Sequence, residues 1–172
     1  MDANKNIIWL LENISDWNGI SKFTIIGDGP LQNECIKLSK LNPKIELLGR
    51  LPNNVAKAKM AEYDYLVLPS LYDGWGAVVN EALSAGTRVL CSNACGASIL
   101  IDGETRGCSF NNENAVKTIT AWSKKGRLSE SDRNTIRKWA LQHISGEAAA
   151  DYFVKIISGQ RVEPPWLINK SI

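Results

Sequence analysis

Between residues 22 and 110, short runs of β-branched and aliphatic residues alternate with stretches whose apolar side chains recur at helical spacing, and few folds satisfy that alternation. The strand-like runs are 22–26, 44–48, 64–68, 87–91 and 107–110. Helical spacing covers 3–17, with Ile7, Leu10, Leu11 and Ile14 on one face, and 30–41, with Leu31, Cys35, Leu38 and Leu41. It continues at 54–62 and at 76–85, where Gly86 stops it. Parallel strands cannot be joined by tight hairpins, whereas right-handed βαβ units supply the crossovers they need. The pattern therefore predicts an α/β fold, a doubly wound parallel sheet flanked by helices. A helical C-terminal region should follow at 112–125, 129–143 and 146–158, so that 1–158 forms one domain. The tail 159–172, after Pro164 and Pro165 and carrying Trp166, Leu167 and Ile168, is expected to pack back across a surface.

Open parallel sheets bind ligands at the carboxyl ends of their strands, and the turns after Ile26, Leu48, Leu68 and Cys91 lie at such ends. The third turn carries the most chemistry. Pro69-Ser70-Leu71-Tyr72-Asp73-Gly74-Trp75-Gly76-Ala77 leads from a strand through a glycine-rich turn into a helix that bears Glu81. Gly74 and Gly76 let backbone N–H groups approach a ligand, and the helix start offers its free N–H groups and positive dipole end. Asp73 and Glu81, eight positions apart, fall roughly 8–12 Å from one another at ~1.5 Å per helical residue plus the turn. Such a pair could grip hydroxyls on either side of a diphosphate. Plainer roles stand beside these: an Asx-turn for Asp73, a solvated helix carboxylate for Glu81, a core position for Trp75, and a surface lysine at Lys5.

Composition removes several function classes. The 172 residues, 44% hydrophobic and 22% charged, suit a globular domain with a core. A net charge of +2 from 20 basic and 18 acidic residues gives no reason to expect nucleic acid as a partner. No apolar run reaches membrane-spanning length and the start lacks a signal core, so a cytoplasmic location is expected. Cys35, Cys91, Cys95 and Cys108 lack the C-x-x-C spacing, and His143 is the single histidine, so reduced structural cysteines are expected rather than a metal site. Gly27-Asp28-Gly29 is followed by Pro30 and Leu31, which breaks the dinucleotide fingerprint.

The signature run resembles that of family-4 retaining glycosyltransferases, in which two glutamates stand eight positions apart around a Gly-aromatic-Gly turn; here the first acid is Asp73. The resemblance continues through Phe23–Pro30, Ile45–Pro52, Tyr63–Leu68, Gly86–Ser92, with Thr87 where proline is usual, and Asp102–Gly107, over about residues 3 to 125. It implies the Rossmann-like C-terminal half of a GT-B enzyme, which binds a nucleotide-sugar donor while an N-terminal domain binds the acceptor. By resemblance, Lys5, Asp73 and Glu81 are the catalytic set: Lys5 neutralises the diphosphate, Asp73 stands near the sugar and Glu81 holds ribose hydroxyls. Gly74, Trp75, Gly76 and Ala77 would meet the diphosphate or hexose. Gly27 belongs to the second-strand turn, and Gly49, Arg50, Leu51 and Pro52 to the loop that holds the base. A lysine and a helix N-terminus can stabilise the leaving phosphate, and no Asp-x-Asp pair is present to grip a cation, so neither metal nor cofactor is expected.

In the family this domain opens with a strand ending in Gly-Arg, shortly followed by the lysine, and Met1 stands where that strand should already have ended. The expectation is thus a domain truncated at its N-terminus: a fragment, a split-gene half or a decayed enzyme. Its sheet should lack a strand between 22–26 and 64–68, so that those strands either close up or leave a gap for a partner. The resemblance implies hexosyl transfer with retention, in bacterial polysaccharide or lipopolysaccharide synthesis. It also implies an acceptor domain or partner chain, and peripheral membrane association of the full enzyme. The other reading is a noncatalytic nucleotide-binding or partner-binding module.

Overall fold

A computed structural model describes residues 1–14 and 17–167. The alternating pattern folds as β1 (Phe23–Ile26), α2 (Gln32–Leu41), β2 (Ile45–Gly49), α3 (Asn53–Met60), β3 (Tyr65–Leu68), α4 (Ala77–Ala85), β4 (Arg88–Ser92) and β5 (Gly107–Phe110), preceded by α1 (Ile7–Asn13). Helices α5 (Ala115–Ser123), α6 (Glu130–His143) and α7 (Gly146–Ile157) follow, with a 3₁₀ turn at Gly96–Leu100 that the sequence reading missed. All strand pairs are parallel. Among the described residues, no helix is long and apolar enough to cross a membrane.

The strands form two sheets, β1-β2 and β3-β4-β5, with no ladder between β1 and β3. Of the two expected outcomes, the gap is therefore the one the fold adopts. β4 is the best-covered strand: Leu90 joins the core under α1 and α5, while Val89 and Cys91 join the core under α4 and α6, as the alternation of side chains along a strand requires. Burial pushes the Cys91 thiol up to about 12, which leaves it a small apolar group.

Two expected boundaries moved, each for a local reason. The first helix is confined to Ile7–Asn13, because Asp2 caps a separate 3₁₀ turn at Ala3–Lys5 and Asn6 takes a left-handed conformation between them. Ile7, Leu10, Leu11 and Ile14 are nonetheless all buried; Ser15 and Asp16, at the end of the expected helix, lie outside the described residues. Helix α5 starts at Ala115, since Asn111 and Asn114 each accept the other's backbone N–H at 3.0 Å and close a turn first. In the tail, Trp166 packs edge-on against Tyr152 at 5.6 Å, and Ile168 lies outside the described residues.

Polar contacts fix α3 and α6 against the three-stranded sheet. Arg133, buried on α6, donates to the Tyr63 carbonyl at 2.9 Å and to Asp64 at 3.1 Å, and Asp64 also accepts the Leu128 N–H at 2.9 Å. Ahead of β4, where proline is usual in the resemblance, buried Thr87 donates its hydroxyl to the Met60 carbonyl at the end of α3, at 2.7 Å. Thr87→Val keeps the shape but removes one of the two hydrogen bonds to that carbonyl, which also accepts the Tyr63 N–H at 3.1 Å, and is expected to cost roughly 0.5–1.5 kcal/mol of stability. Urea unfolding of Thr87→Val beside Thr87→Ser, which retains the hydroxyl, checks this.

Candidate functional site

The site is assembled at the carboxyl end of β3 by a residue that the sequence reading passed over. Asn4 accepts the Leu71 N–H on its carbonyl at 2.8 Å and the Tyr72 N–H on Oδ1 at 3.1 Å, and its Nδ2 donates to the Tyr72 carbonyl at 2.5 Å. These bonds lay the 3₁₀ turn Ala3–Lys5 along the chain as it leaves β3. Lys5 then reaches the signature turn, with Nζ 2.8 Å from Asp73 Oδ2.

The backbone N–H groups of Trp75 and Gly76, at the entry to α4, also favour the charged form of the Asp73 carboxylate. The hydrogen bond from Lys5 is the main cause that holds the Asp73 carboxyl below its ordinary range, against an opposing contribution from burial. An ammonium, two backbone amides and a helix N-terminus thus converge on one negative charge, an arrangement that suits any compact anion.

Residues 95–97 support the turn from below. Cys95 donates its thiol to the Trp75 carbonyl at 2.9 Å, while Gly96 and Ala97 N–H groups donate to the Asp73 and Trp75 carbonyls at 3.0 and 2.7 Å. Gly76 sits at φ 83° directly over Cys95, where a Cβ would meet the Cys95 sulfur and the Leu68 side chain. A glycine is therefore required by both conformation and space. The sequence reading took Cys95 as a reduced structural cysteine but had no signal that it supports this turn; it is buried like the other apolar positions.

Trp75 is 42% exposed and donates its indole N–H to Asn80 at 2.9 Å, so it lies at the surface beside the signature turn and not in the core. Glu81, on the second turn of α4, lies 3.4 Å from Lys57 on α3. It borders two cavities: one of about 520 Å³ that Lys5 also lines, and one of about 550 Å³ shared with Asn80, Ser84 and Arg137. Lys57 and Asn80 had no sequence signal beyond an ordinary polar helix face. At the ends of the two-stranded sheet, Gly27 donates its N–H to the Gly49 carbonyl at 2.7 Å, which brings those two turns together. Arg50 and Pro52 are exposed, Leu51 is half-buried, and the Pro52 carbonyl accepts the Ala56 N–H at 2.9 Å to start α3. That helix carries Lys57 to Glu81. Among the described residues, no group of three or more histidine, cysteine or acidic side chains could hold a metal ion.

Residues 1–124 match the family model described as glycosyl transferases group 1, and the chain belongs to that family. A curated relative is the N-acetylgalactosamine-N,N'-diacetylbacillosaminyl-diphospho-undecaprenol 4-alpha-N-acetylgalactosaminyltransferase of Campylobacter jejuni, 28% identical over 165 residues, or 85% of this chain and 45% of that protein. The sulfoquinovosyl transferase SQD2 of Arabidopsis thaliana is 31% identical over 146 residues, or 83% of this chain and 26% of that protein. Among solved structures, Anabaena Alr3699/HepE in complex with UDP matches 92% of this chain and 46% of its own, with a TM-score of 0.68 and 18% identity. That likeness shows the shared GT-B-type α/β fold. The chain spans less than half the length of each of these proteins.

Because its carboxyl is held low when folded, Asp73 contributes stability above the unfolded carboxylate range and loses it as pH falls through the folded value. Lys5→Met should therefore unfold more easily than the parent at pH 6–7, with the difference shrinking below about pH 4, where the unfolded carboxylate also protonates. The effect should be small and salt-sensitive, since the Lys5 side chain is 44% exposed. Thermal melts of both proteins between pH 2 and 7 check it.

Proposed function

We propose that this chain binds the donor of a retaining glycosyltransferase, a nucleoside-diphosphate sugar, at the anion cradle formed by Lys5, the Trp75 and Gly76 amides and the start of α4. The observation that carries this reading is the convergence of those groups on a single negative charge, now that of Asp73. The donor diphosphate takes that place. Asp73 turns aside toward the sugar, Glu81 accepts hydrogen bonds from ribose hydroxyls, and the Gly49–Pro52 loop meets the base. The complex of Anabaena Alr3699/HepE, which shares the fold, with UDP supports a nucleotide as the ligand.

The chemistry follows from where charge develops. Breaking the bond between the anomeric carbon and the diphosphate oxygen leaves negative charge on the phosphate. Fixed donors aimed at that oxygen lower the barrier more than equal binding of donor and transition state does. Lys5 and the α4 N-terminus supply such donors. The acceptor is assigned to a separate domain or partner chain, so the chain by itself binds the donor without transferring sugar. Family membership and the Campylobacter relative, named as an N-acetylgalactosaminyltransferase, support a hexosyl-type transfer, which we assign to bacterial polysaccharide or lipopolysaccharide synthesis.

Calorimetric titration with uridine, guanosine, adenosine and thymidine diphosphates tests this reading, with saturable binding of one of them as the expected result. Glu81→Ala should weaken that binding by about 1.5–3 kcal/mol while leaving the melting temperature nearly unchanged. Lys5→Met should weaken it as well. Asp73→Asn should tighten it several-fold, by ~1 kcal/mol, because it removes a like charge from the cradle. Equal affinities in all three variants would remove the diphosphate from this site.

A further inference from the structure

His143 stands on the last turn of α6 and is partly buried. Its imidazole packs on the Trp139 ring, with 5.1 Å between centroids, and the Arg106 guanidinium lies over the same ring, 3.9 Å from its centroid. Trp139 Nε1 is buried with no hydrogen-bond partner, so packing alone holds that ring. Arg106 cannot give way: it is 7% exposed, donates Nε to the Leu100 carbonyl at 2.8 Å and lies 3.2 Å from Asp102 Oδ2. The 3₁₀ turn Pro165–Leu167 covers this corner, packed against α6, α7 and the Gly96–Leu100 turn. Its Trp166, like Trp139 and Ile144, rests on the core under α4 and α6, edge-on to Tyr152 at 5.6 Å.

We propose that His143 is a pH-sensitive latch for the Pro165–Leu167 turn, which stays docked while the imidazole is neutral and is released in mild acid, when a second cation is forced onto the ring that Arg106 already occupies. The last turn of a helix ordinarily favours a protonated histidine. Here burial first and Arg106 second hold the imidazole below its ordinary range, and they outweigh the Pro165 main chain, which favours the charged form. The other charged groups on the surrounding elements do not relieve this. Asp102 is taken up by Arg106 and by the Glu104 and Arg106 amides, Asp151 by Lys155 at 2.6 Å, and Arg133 and Arg137 by Asp64 and Glu130. Lys138, Glu147, Arg161 and Glu163 are exposed to solvent. Since the turn helps to bury the imidazole, the docked state binds a proton less readily than the undocked one. Docking is therefore complete above about pH 6.5, the ordinary imidazole value, and weakens as pH falls below it. The latch uses no residue assigned to the donor and stands whether or not a nucleotide binds.

Because His143 is the single histidine, its imidazole signal titrates alone in proton NMR of the full chain between about pH 5 and 7.5. The expected result is a midpoint below about 6.5, with the Trp166 indole signal moving at the same midpoint. The Leu167 amide, bonded to the Pro164 carbonyl at 2.9 Å, should exchange at least ~tenfold faster at the acid end, after correction for the intrinsic pH dependence of exchange. His143→Gln keeps an N–H donor and cannot charge, so its Trp166 signal and Leu167 protection should be the same at both ends of the range. A midpoint at or above the ordinary imidazole value, or a Trp166 signal that stays fixed while His143 titrates, would overturn the latch. So would an equal response in His143→Gln, or loss of protection over the same range at the Asn93 amide, whose bond to the Phe110 carbonyl at 2.8 Å reports unfolding of the sheet itself.

Discussion

The missing ladder between β1 and β3 is the constraint on which the rest of the molecule turns. Hydrogen bonds bind a sheet into one unit, and here the ladder stops halfway, so the two-stranded and three-stranded parts are tied by helices, side chains and the N-terminal turn, whose main chain bonds Asp28 and Leu31 on one side and Leu71 on the other. Ile25 and Leu90, on strands either side of the break, belong to one apolar core with α1 and α5, which keeps the halves in register. The Tyr63–Thr24 bond crosses one end of the break. Near the other end, Asn4 and Lys5 span from the N-terminal turn to the signature turn, so the contacts that hold the break closed are also the contacts that build the site.

This coupling explains the conformation of Asp73. A lysine beside two amides and a helix N-terminus concentrates positive potential, and a carboxylate eight residues before Glu81 is the nearest anion to neutralise it. The Lys5–Asp73 pair thus closes the turn, and under the proposed function a diphosphate would displace Asp73 to enter and return its carboxylate toward the sugar. Affinity is lowered by the strength of one partly exposed ion pair, which is modest.

Much of this was legible in the residues, for reasons that can be named. All five strands and most of the helices between them were read from the two periodicities, and the gap was expected from the resemblance, in which a further strand lies between 22–26 and 64–68. Lys5, Asp73 and Gly76 were singled out by the same resemblance, and the structure brings Lys5 to Asp73 beside that turn. Contacts made by ordinary residue types were not legible. Asn4 clamps the turn through main-chain bonds that no spacing announces, and Lys57 meets Glu81 only because α3 packs beside α4. Thr87 shows the same limit: as a departure from proline it was noticed, but its bond to Met60 required the fold. The left-handed Asn6, which divides one amphipathic pattern into a 3₁₀ turn and a short helix, likewise has no periodic signature.

The central claim is that a nucleoside diphosphate replaces the Asp73 carboxylate in the Lys5 cradle. A crystal structure of the chain soaked with the diphosphate that binds it tests this most directly. The account predicts a phosphate oxygen within hydrogen-bond distance of Lys5 Nζ and of the Trp75 or Gly76 amide, with the Asp73 side chain rotated away. A bound diphosphate elsewhere on the molecule, with the Lys5–Asp73 pair still at its present 2.8 Å, would contradict it.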